Sequence, residues 1–215
     1  MASGTATRRE SAKRETREAL IAAALAEFAE HGLDAPSLDA ICARAGFTRG
    51  AFYVHFRDRD DLMVGVLETA LGAFLDAMIA SGGEADDLER TVDRFAEAIT
   101  LLSSGDGAAQ AVVPGPFAGV QVAQLLEGVR RSSRLREGFV GSLRGAVVRL
   151  IEVTKRGQAA NAVRRDVDPG QVASLLVASA LGVLVAREAG MPLDPPALRR
   201  AVLLLLAGPP RGPTA

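Results

Sequence analysis

The stretch Ser37–Phe56, SLDAICARAGFTRGAFYVHF, constrains this chain more tightly than any other. Its residue types spell two short helices separated by a tight turn. Ser37 and Thr48 are both N-cap residues, whose side-chain oxygens accept backbone N–H groups left unpaired at a helix start. Gly46 stands where a helix ending at Ala45 needs a left-handed residue. Leu38, Ile41, Cys42 and Ala45 recur at helical spacing and give the first helix one apolar face. In the second helix Ala51, Phe52 and Phe56 can turn inward, which leaves Thr48, Arg49, Gly50, Tyr53 and His55 on or near the outer side. Two short helices joined by a glycine turn form a helix-turn-helix, a unit whose second helix enters the major groove of DNA.

Bulk charge adds nothing to that reading. The 215 residues carry a net charge of −1, and in residues 1–64 nine Lys/Arg face ten Asp/Glu. Any DNA contact must therefore rest on where charges stand. A hydrophobic content of 48% excludes a disordered chain and supports a sizeable core. The single cysteine, Cys42, rules out an intramolecular disulfide and fits a reducing compartment. It lies on the apolar face of the first short helix and reads as a small core residue. The N-terminus, MASGTATRRESAKRE, has no apolar signal core. The longest largely apolar run, Val172–Ala186, is too short to span a bilayer. These features predict a soluble cytoplasmic protein with no membrane partner.

Periodicity along the chain predicts an all-α fold of about nine helices. Residues 1–14 form a flexible basic arm carrying Arg8, Arg9, Lys13 and Arg14, suited either to DNA or to plain solvation. Residues 15–58 form the three-helix helix-turn-helix head, with a first helix over 15–30 and His31 in its last turn. Residues 59–207 form a larger helical body, and 208–215 a flexible tail. Within the body, helices are expected over 59–80, with Asp58 as N-cap, and over 85–102, 116–131, 134–156 and 169–189, then after Asp194. The last two helices are apolar nearly all round, and a helix without a polar face must be covered on several sides. They are either central helices of one domain or a subunit interface. The interface is the preferred reading, with Val172, Leu175, Leu176, Leu181, Leu184, Val202 and Leu205 as its residues.

The segment Ala45–Leu62, AGFTRGAFYVHFRDRDDL, resembles the signature of the TetR family of bacterial transcriptional regulators. The matching residues are Ala45, Gly46, Thr48, Arg49, Gly50, Ala51, Phe52, Tyr53, His55, Phe56, Arg59, Asp60, Asp61 and Leu62. The resemblance covers the N-terminal quarter of the chain. It implies that the helix from residue 59 connects the head to a regulatory body, and that the last two helices dimerise. It also implies a small-molecule pocket enclosed by the middle helices. Phe74, Met78, Phe95, Phe117, Gln121, Gln124, Leu125 and Phe139 are candidates to line it, and ordinary core packing is the other reading of each. An aromatic content of 4% without tryptophan argues against a flat planar ligand. Few charges fall on inner faces, which favours an apolar or neutral effector.

The DNA candidates have distinct chemistry. Arg49, at the start of the second short helix, can donate two hydrogen bonds to guanine O6 and N7, or one to phosphate. Thr48 can cap the helix and reach a phosphate. Gly50 lets the backbone approach closely. Tyr53, the only tyrosine, can pack its ring on the head and offer its hydroxyl to phosphate. Val54 can touch a thymine methyl, with His55 beside it. Ser37 and Arg44 flank the first short helix as phosphate candidates. Arg59 matches the family's basic residue at the next helix start. No catalytic constellation, metal-ligand cluster or cofactor motif is present in the sequence, so no enzyme activity, metal or cofactor is expected. The expected protein is a homodimeric, ligand-responsive repressor. It binds a palindromic double-stranded operator and is released by a small, largely apolar effector. The alternative is a helical small-molecule or partner-binding module that does not engage DNA.

Overall fold

A computed structural model describes residues 3–80, 82–84, 86–104 and 122–207. Among the described residues the chain is all-α, with nine helices and no strand. They are α1 (Ser3–His31), α2 (Leu38–Ala45), α3 (Arg49–His55), α4 (Arg59–Met78), α5 (Asp87–Ser104), α6 (Val122–Arg131), α7 (Ser133–Ala159), α8 (Pro169–Glu188) and α9 (Pro195–Leu206). The helix expected over 116–131 is described from Val122 onward, and the expected tail at 208–215 lies outside the described residues.

The N-terminal basic stretch departs from expectation. It is helical from Ser3, so α1 starts well before the expected residue 15 and takes in the stretch read as an arm. The physical reason is composition: Ala, Arg, Lys and Glu are good helix formers. Pairs one turn apart support it further, with Ser11 donating to Glu15 at 2.8 Å and Arg14 facing Glu18 at 3.6 Å. Gly32, at φ 81°, ends the helix.

The described residues fall into two compact units. One holds α1–α3, α4 as far as Leu71, α6 and α7 as far as Phe139; the other holds the remainder. The core of the first unit is Leu20, Ile21, Phe28, Ile41, Cys42, Phe52, Phe56, Leu62 and Val66. Full burial of each large apolar side chain there contributes roughly 1.5–3 kcal/mol before chain entropy is set against it. This core reaches past the expected head boundary at residue 58, because Leu62 and Val66 of α4 belong to it.

The second unit packs Ile79, Leu88, Leu150, Val153, Val163, Val172, Ala173 and Leu206 into its own core. Asp168 caps α8 by accepting from Gln171 N–H at 2.9 Å, with Pro169 at the first helical position. Asp194 caps α9 in the same way through Ala197 N–H at 2.9 Å. Val172, expected at the subunit interface, is instead buried in this core, and Val202 packs against it. Leu176 also packs there, while Leu181 and Leu184 are half-buried. Leu175 and Leu205 are 56% and 63% exposed. At 20 residues and a mean hydropathy of 1.8, α8 is by length and composition long enough to cross a membrane, contrary to the sequence reading of that run.

Candidate nucleic-acid interface

Local chemistry builds the helix-turn-helix as its residue types predict. Ser37 Oγ accepts from Ala40 N–H at 3.1 Å, and Thr48 Oγ1 accepts from Ala51 N–H at 3.3 Å. Gly46 takes φ 75°, its N–H donates to Ala43 at 3.1 Å, and Phe47 N–H donates to Cys42 at 2.9 Å. That pair of hydrogen bonds closes a left-handed C-cap, and Phe47 seals it by packing on the head core. A residue with a Cβ would be strained at Gly46, so the turn between α2 and α3 depends on glycine there.

Burial of Phe52 and Phe56 fixes the rotation of α3. Their rings sit 5.5 Å apart, and Phe52 also meets the edge of Tyr53 at 5.2 Å. The opposite side of α3 is then turned outward: Tyr53 is 57% and Val54 65% exposed, and Thr48, Arg49 and Gly50 are exposed as well. A Cβ placed on Gly50 would come no nearer than 3.6 Å to Thr48 Oγ1. Nothing inside the head therefore demands glycine at this exposed position. Large apolar groups on a surface are informative when they cluster, and Tyr53 and Val54 do so beside Arg49 on one short helix.

His55 is half-buried at the end of α3. Burial, together with the positive charges of Lys13 and Arg17, holds its imidazole below the usual value. Arg17 also stacks over the Phe56 ring at 5.1 Å. The early turns of α1 thus bring cations to the C-terminal end of α3, a neighbour that the reading of a flexible arm did not supply.

Three expected arginine contacts look different once side chains are placed. Arg44 donates to Glu27 at 3.0 Å and to Glu30 at 2.9 Å, which ties α2 to α1. Arg49 donates to Asp39 at 2.9 Å. Arg59, expected among the DNA contacts, turns into the head instead. Its guanidinium donates to the carbonyls of Leu33, at 2.6 Å, and Pro36, and lies 5.5 Å from the Phe28 ring centre. The loop after α1 leaves those carbonyls without helical partners, and a cation at the start of α4 supplies donors for them. Cys42 is buried, and burial followed by the Asp39 charge pushes its thiol up, away from reactivity. The start of α4 is held by Asp58, which accepts from Asp61 N–H at 2.8 Å and pairs with Arg134 of α7 at 2.9 Å.

The effector candidates fall in both units. Phe74 and Phe95 are half-buried and Met78 is buried in the second. In the first, Phe139 is buried, Leu125 half-buried and Gln124 exposed, with its amide 3.8 Å from a Cβ built on Gly32. Phe117 and Gln121 lie outside the described residues. An open groove of about 470 Å³ between α5 and α9 is lined by Asp93, Ala96, Glu97, Thr100, Pro196 and Arg199, and by none of these candidates.

Comparison with known proteins places the head. Residues 20–66 match the model for bacterial regulatory proteins of the tetR family. The transcriptional repressor BepR of Brucella suis is 43% identical over 56 residues, which cover 26% of this chain and 27% of that protein. The repressor Rv3405c of Mycobacterium tuberculosis is 34% identical over 119 residues, 55% of this chain and 61% of its own length. The chain thus aligns with only part of the length of these curated relatives. Among solved structures, SmeT in complex with triclosan has a TM-score of 0.62 at 24% identity and covers 93% of this chain and 99% of its own. That likeness extends the shared fold through the body. By its head, residues 20–66, the chain is similar to the tetR family of bacterial regulatory proteins, and the relatives that share this head are regulators of transcription.

Proposed function

We propose that the chain is a homodimeric, ligand-responsive transcriptional repressor that binds a palindromic operator through α3. The observation that carries this reading is the outward face of α3. Arg49, Gly50, Tyr53 and Val54 are exposed on a helix whose rotation is locked by buried Phe52 and Phe56. A donor, an open backbone, an aromatic hydroxyl and an apolar tip together suit phosphate and base edges. Ser37 and Thr48 use their oxygens as caps and keep their hydroxyl hydrogens for phosphate. Arg44 and Arg49 are paired with carboxylates in the free head, so most phosphate attraction would come from α1, where Arg9, Lys13 and Arg17 recur one turn apart.

The second copy is the occupant proposed for the apolar surface of α8 and α9. Leu175, Val185, Leu198, Leu204 and Leu205 are exposed in one protomer, on the two helices with which the family resemblance dimerises. Aligned through these helices, two heads would enter successive major grooves about 34 Å apart. An effector bound in the helical body would favour a conformer with unsuitable head spacing, and its differential affinity for the two states would lower DNA affinity. SmeT is described in complex with triclosan. That complex supports a small, largely apolar effector here. A regulator working on the chromosome of a bacterium works in the cytoplasm.

The test is footprinting of the purified dimer on DNA upstream of its own gene, followed by titration at several salt concentrations. Protection of a palindrome, with affinity falling steeply as salt rises, is the expected result. A folded dimer that protects nothing at low salt would eliminate the DNA reading in favour of a helical small-molecule or partner-binding module. The near-neutral charge balance of residues 1–64 is what favours that second reading.

A further inference from the structure

Arg49 does not stand alone at the start of α3. Asp39, in the first turn of α2, accepts through Oδ2 from Arg49 Nη2 at 2.9 Å, while its Oδ1 faces Nε. The carboxylate grips the Nε edge of the guanidinium in a fork. The Nη1–Nη2 edge is left facing away from Asp39. Both side chains are exposed, so the pair lies on the surface that carries α3 rather than in the core.

Two consequences follow from that grip. The first concerns freedom. An unrestrained arginine at an exposed helix start samples many rotamers and loses them on binding, whereas a forked pair selects one arrangement beforehand. Arginine suits this because its donors lie in one rigid plane. The second concerns charge. A guanidinium beside a carboxylate keeps its remaining N–H donors, but its net attraction for another anion is reduced. Phosphate recognition depends on that attraction; the guanine edge is uncharged and needs only two coplanar donors for O6 and N7. Asp39 thus penalises the contact that carries no sequence information and favours the one that does.

Taking α3 as a DNA reader, we infer that Asp39 is a positioning residue, which sets Arg49 as a guanine reader rather than a phosphate contact. Asp39 also lies where an acid favours the α2 dipole, and that role alone would be structural. The two roles separate experimentally. Asp39→Asn removes the charge. Asp39→Glu keeps an acid in the first turn of α2 but alters the reach of the fork.

Preferred duplexes would be selected from a random double-stranded library with the full-length protein, with Arg49→Ala, with each Asp39 variant and with Asp39→Asn/Arg49→Ala. Affinities for single-base variants of the selected site would then be measured by anisotropy, with folding checked by circular dichroism. The wild type should prefer guanine at one position of each half-site by about tenfold or more, and Arg49→Ala should lose that preference. Both Asp39 variants should lose preference at the same position. Asp39→Asn should in addition bind unrelated duplex more tightly, with a salt slope steeper by about one phosphate. In the double variant, Asp39→Asn should add no further loss there. If either folded Asp39 variant keeps the guanine preference, or loses affinity equally for every sequence, the inference is overturned. A wild type that binds no duplex removes the DNA reading itself, and a wild type that selects a site while Asp39→Asn changes nothing removes only the role of Asp39.

Discussion

Arg156 of α7 donates through Nη2 to the buried carboxylate of Asp87 at 2.8 Å. Asp87 opens α5, and its same oxygen accepts from Gly83 N–H at 3.0 Å. This pairing ties the turn before α5 to α7 within the second unit. Burial pushes the Asp87 carboxyl up, but the Arg156 hydrogen bond and the Gly83 N–H outweigh it and hold the group below its ordinary value. Asp87→Asn should therefore cost about 2–3 kcal/mol at pH 7, since it leaves a half-buried guanidinium without its counter-charge. The sign with pH follows from the lowered value. The contribution is complete above the unfolded carboxyl value of about 3.9 and is lost as pH falls through the lower folded value. Urea midpoints of wild type and variant should lie far apart at pH 7, stay apart down to about pH 4, and converge as pH falls further through the lower folded value.

Arg49 and Arg59, ten residues apart, should fail in opposite ways. Arg59→Ala removes two donors from the carbonyls of Leu33 and Pro36 and should destabilise the protein by about 2 kcal/mol. Arg59→Lys should recover only part of that loss, because an ammonium cannot fork between two carbonyls in one plane. Arg49→Ala should leave the melting temperature nearly unchanged and weaken operator binding by about 1–3 kcal/mol. Thermal melts and anisotropy on the same preparations separate the two outcomes. A large melting shift for Arg49→Ala, or none for Arg59→Ala, would reverse the assignment.

His55 should move stability and DNA affinity in opposite directions as pH falls. Its imidazole is held low by burial and by Lys13 and Arg17, so the folded head binds its proton later than the unfolded chain. Stability from this group is complete above the unfolded value of about 6.5 and declines as pH falls through it toward the folded value. A phosphate near the end of α3 would favour the protonated ring, and operator affinity should rise over the same range. His55→Gln should flatten both trends between about pH 7.5 and 5.5. An NMR titration of the His55 ring with and without duplex gives the direct reading, and equal values in the two states would remove His55 from the interface.

The apolar exposure of α8 and α9 makes a quantitative demand on dimerisation. Leu175→Glu and Leu205→Glu each place a charge on a surface proposed to be covered by a second copy. Burying an unpaired carboxylate there costs several kcal/mol, so each dimer dissociation constant should rise at least about a hundredfold. Sedimentation velocity should show a folded monomer with unchanged helicity. Val172→Ala is the contrasting control. It removes core volume in one protomer, and should lower stability by about 1 kcal/mol without altering the dissociation constant at temperatures where both proteins are folded.

Glycine at residue 46 offers a simpler check on the turn. With φ 75°, Gly46→Ala forces a side chain into the left-handed region and should cost about 1 kcal/mol. The space beyond is open, with nothing within 4 Å of an added Cβ, so the cost should be conformational rather than steric. A calorimetric melt suffices to measure it, and a neutral substitution would show that the turn tolerates another geometry.

Much of the head was legible because its signals are local. The caps at Ser37 and Thr48, the glycine at the end of α2, and the spacing of Phe52 and Phe56 act within one or two helical turns. Asp58 and Asp194 mark their helices for the same reason. The start of α1 carries no such mark, because a charged stretch suits a solvated arm and Ala, Arg, Lys and Glu are also among the best helix formers. The inward turn of Arg59 had no local signature, since its partners stand 23 and 26 positions earlier in the chain.

The amino-acid sequence by itself determined the capped helix starts, the turn between α2 and α3 and the face of α3 that faces solvent, because capping, left-handed backbone and helical periodicity are short-range. Tertiary structure alone decided which arginines are available. Whether Arg44, Arg49 or Arg59 meets solvent, a carboxylate or a buried carbonyl depends on groups brought together from α1, α2 and the loop between them. It likewise decided that Val172 belongs to one protomer's core while Leu175, three residues on, is left exposed. An apolar helix carries no mark of which side its own chain will cover, and only packing draws that line.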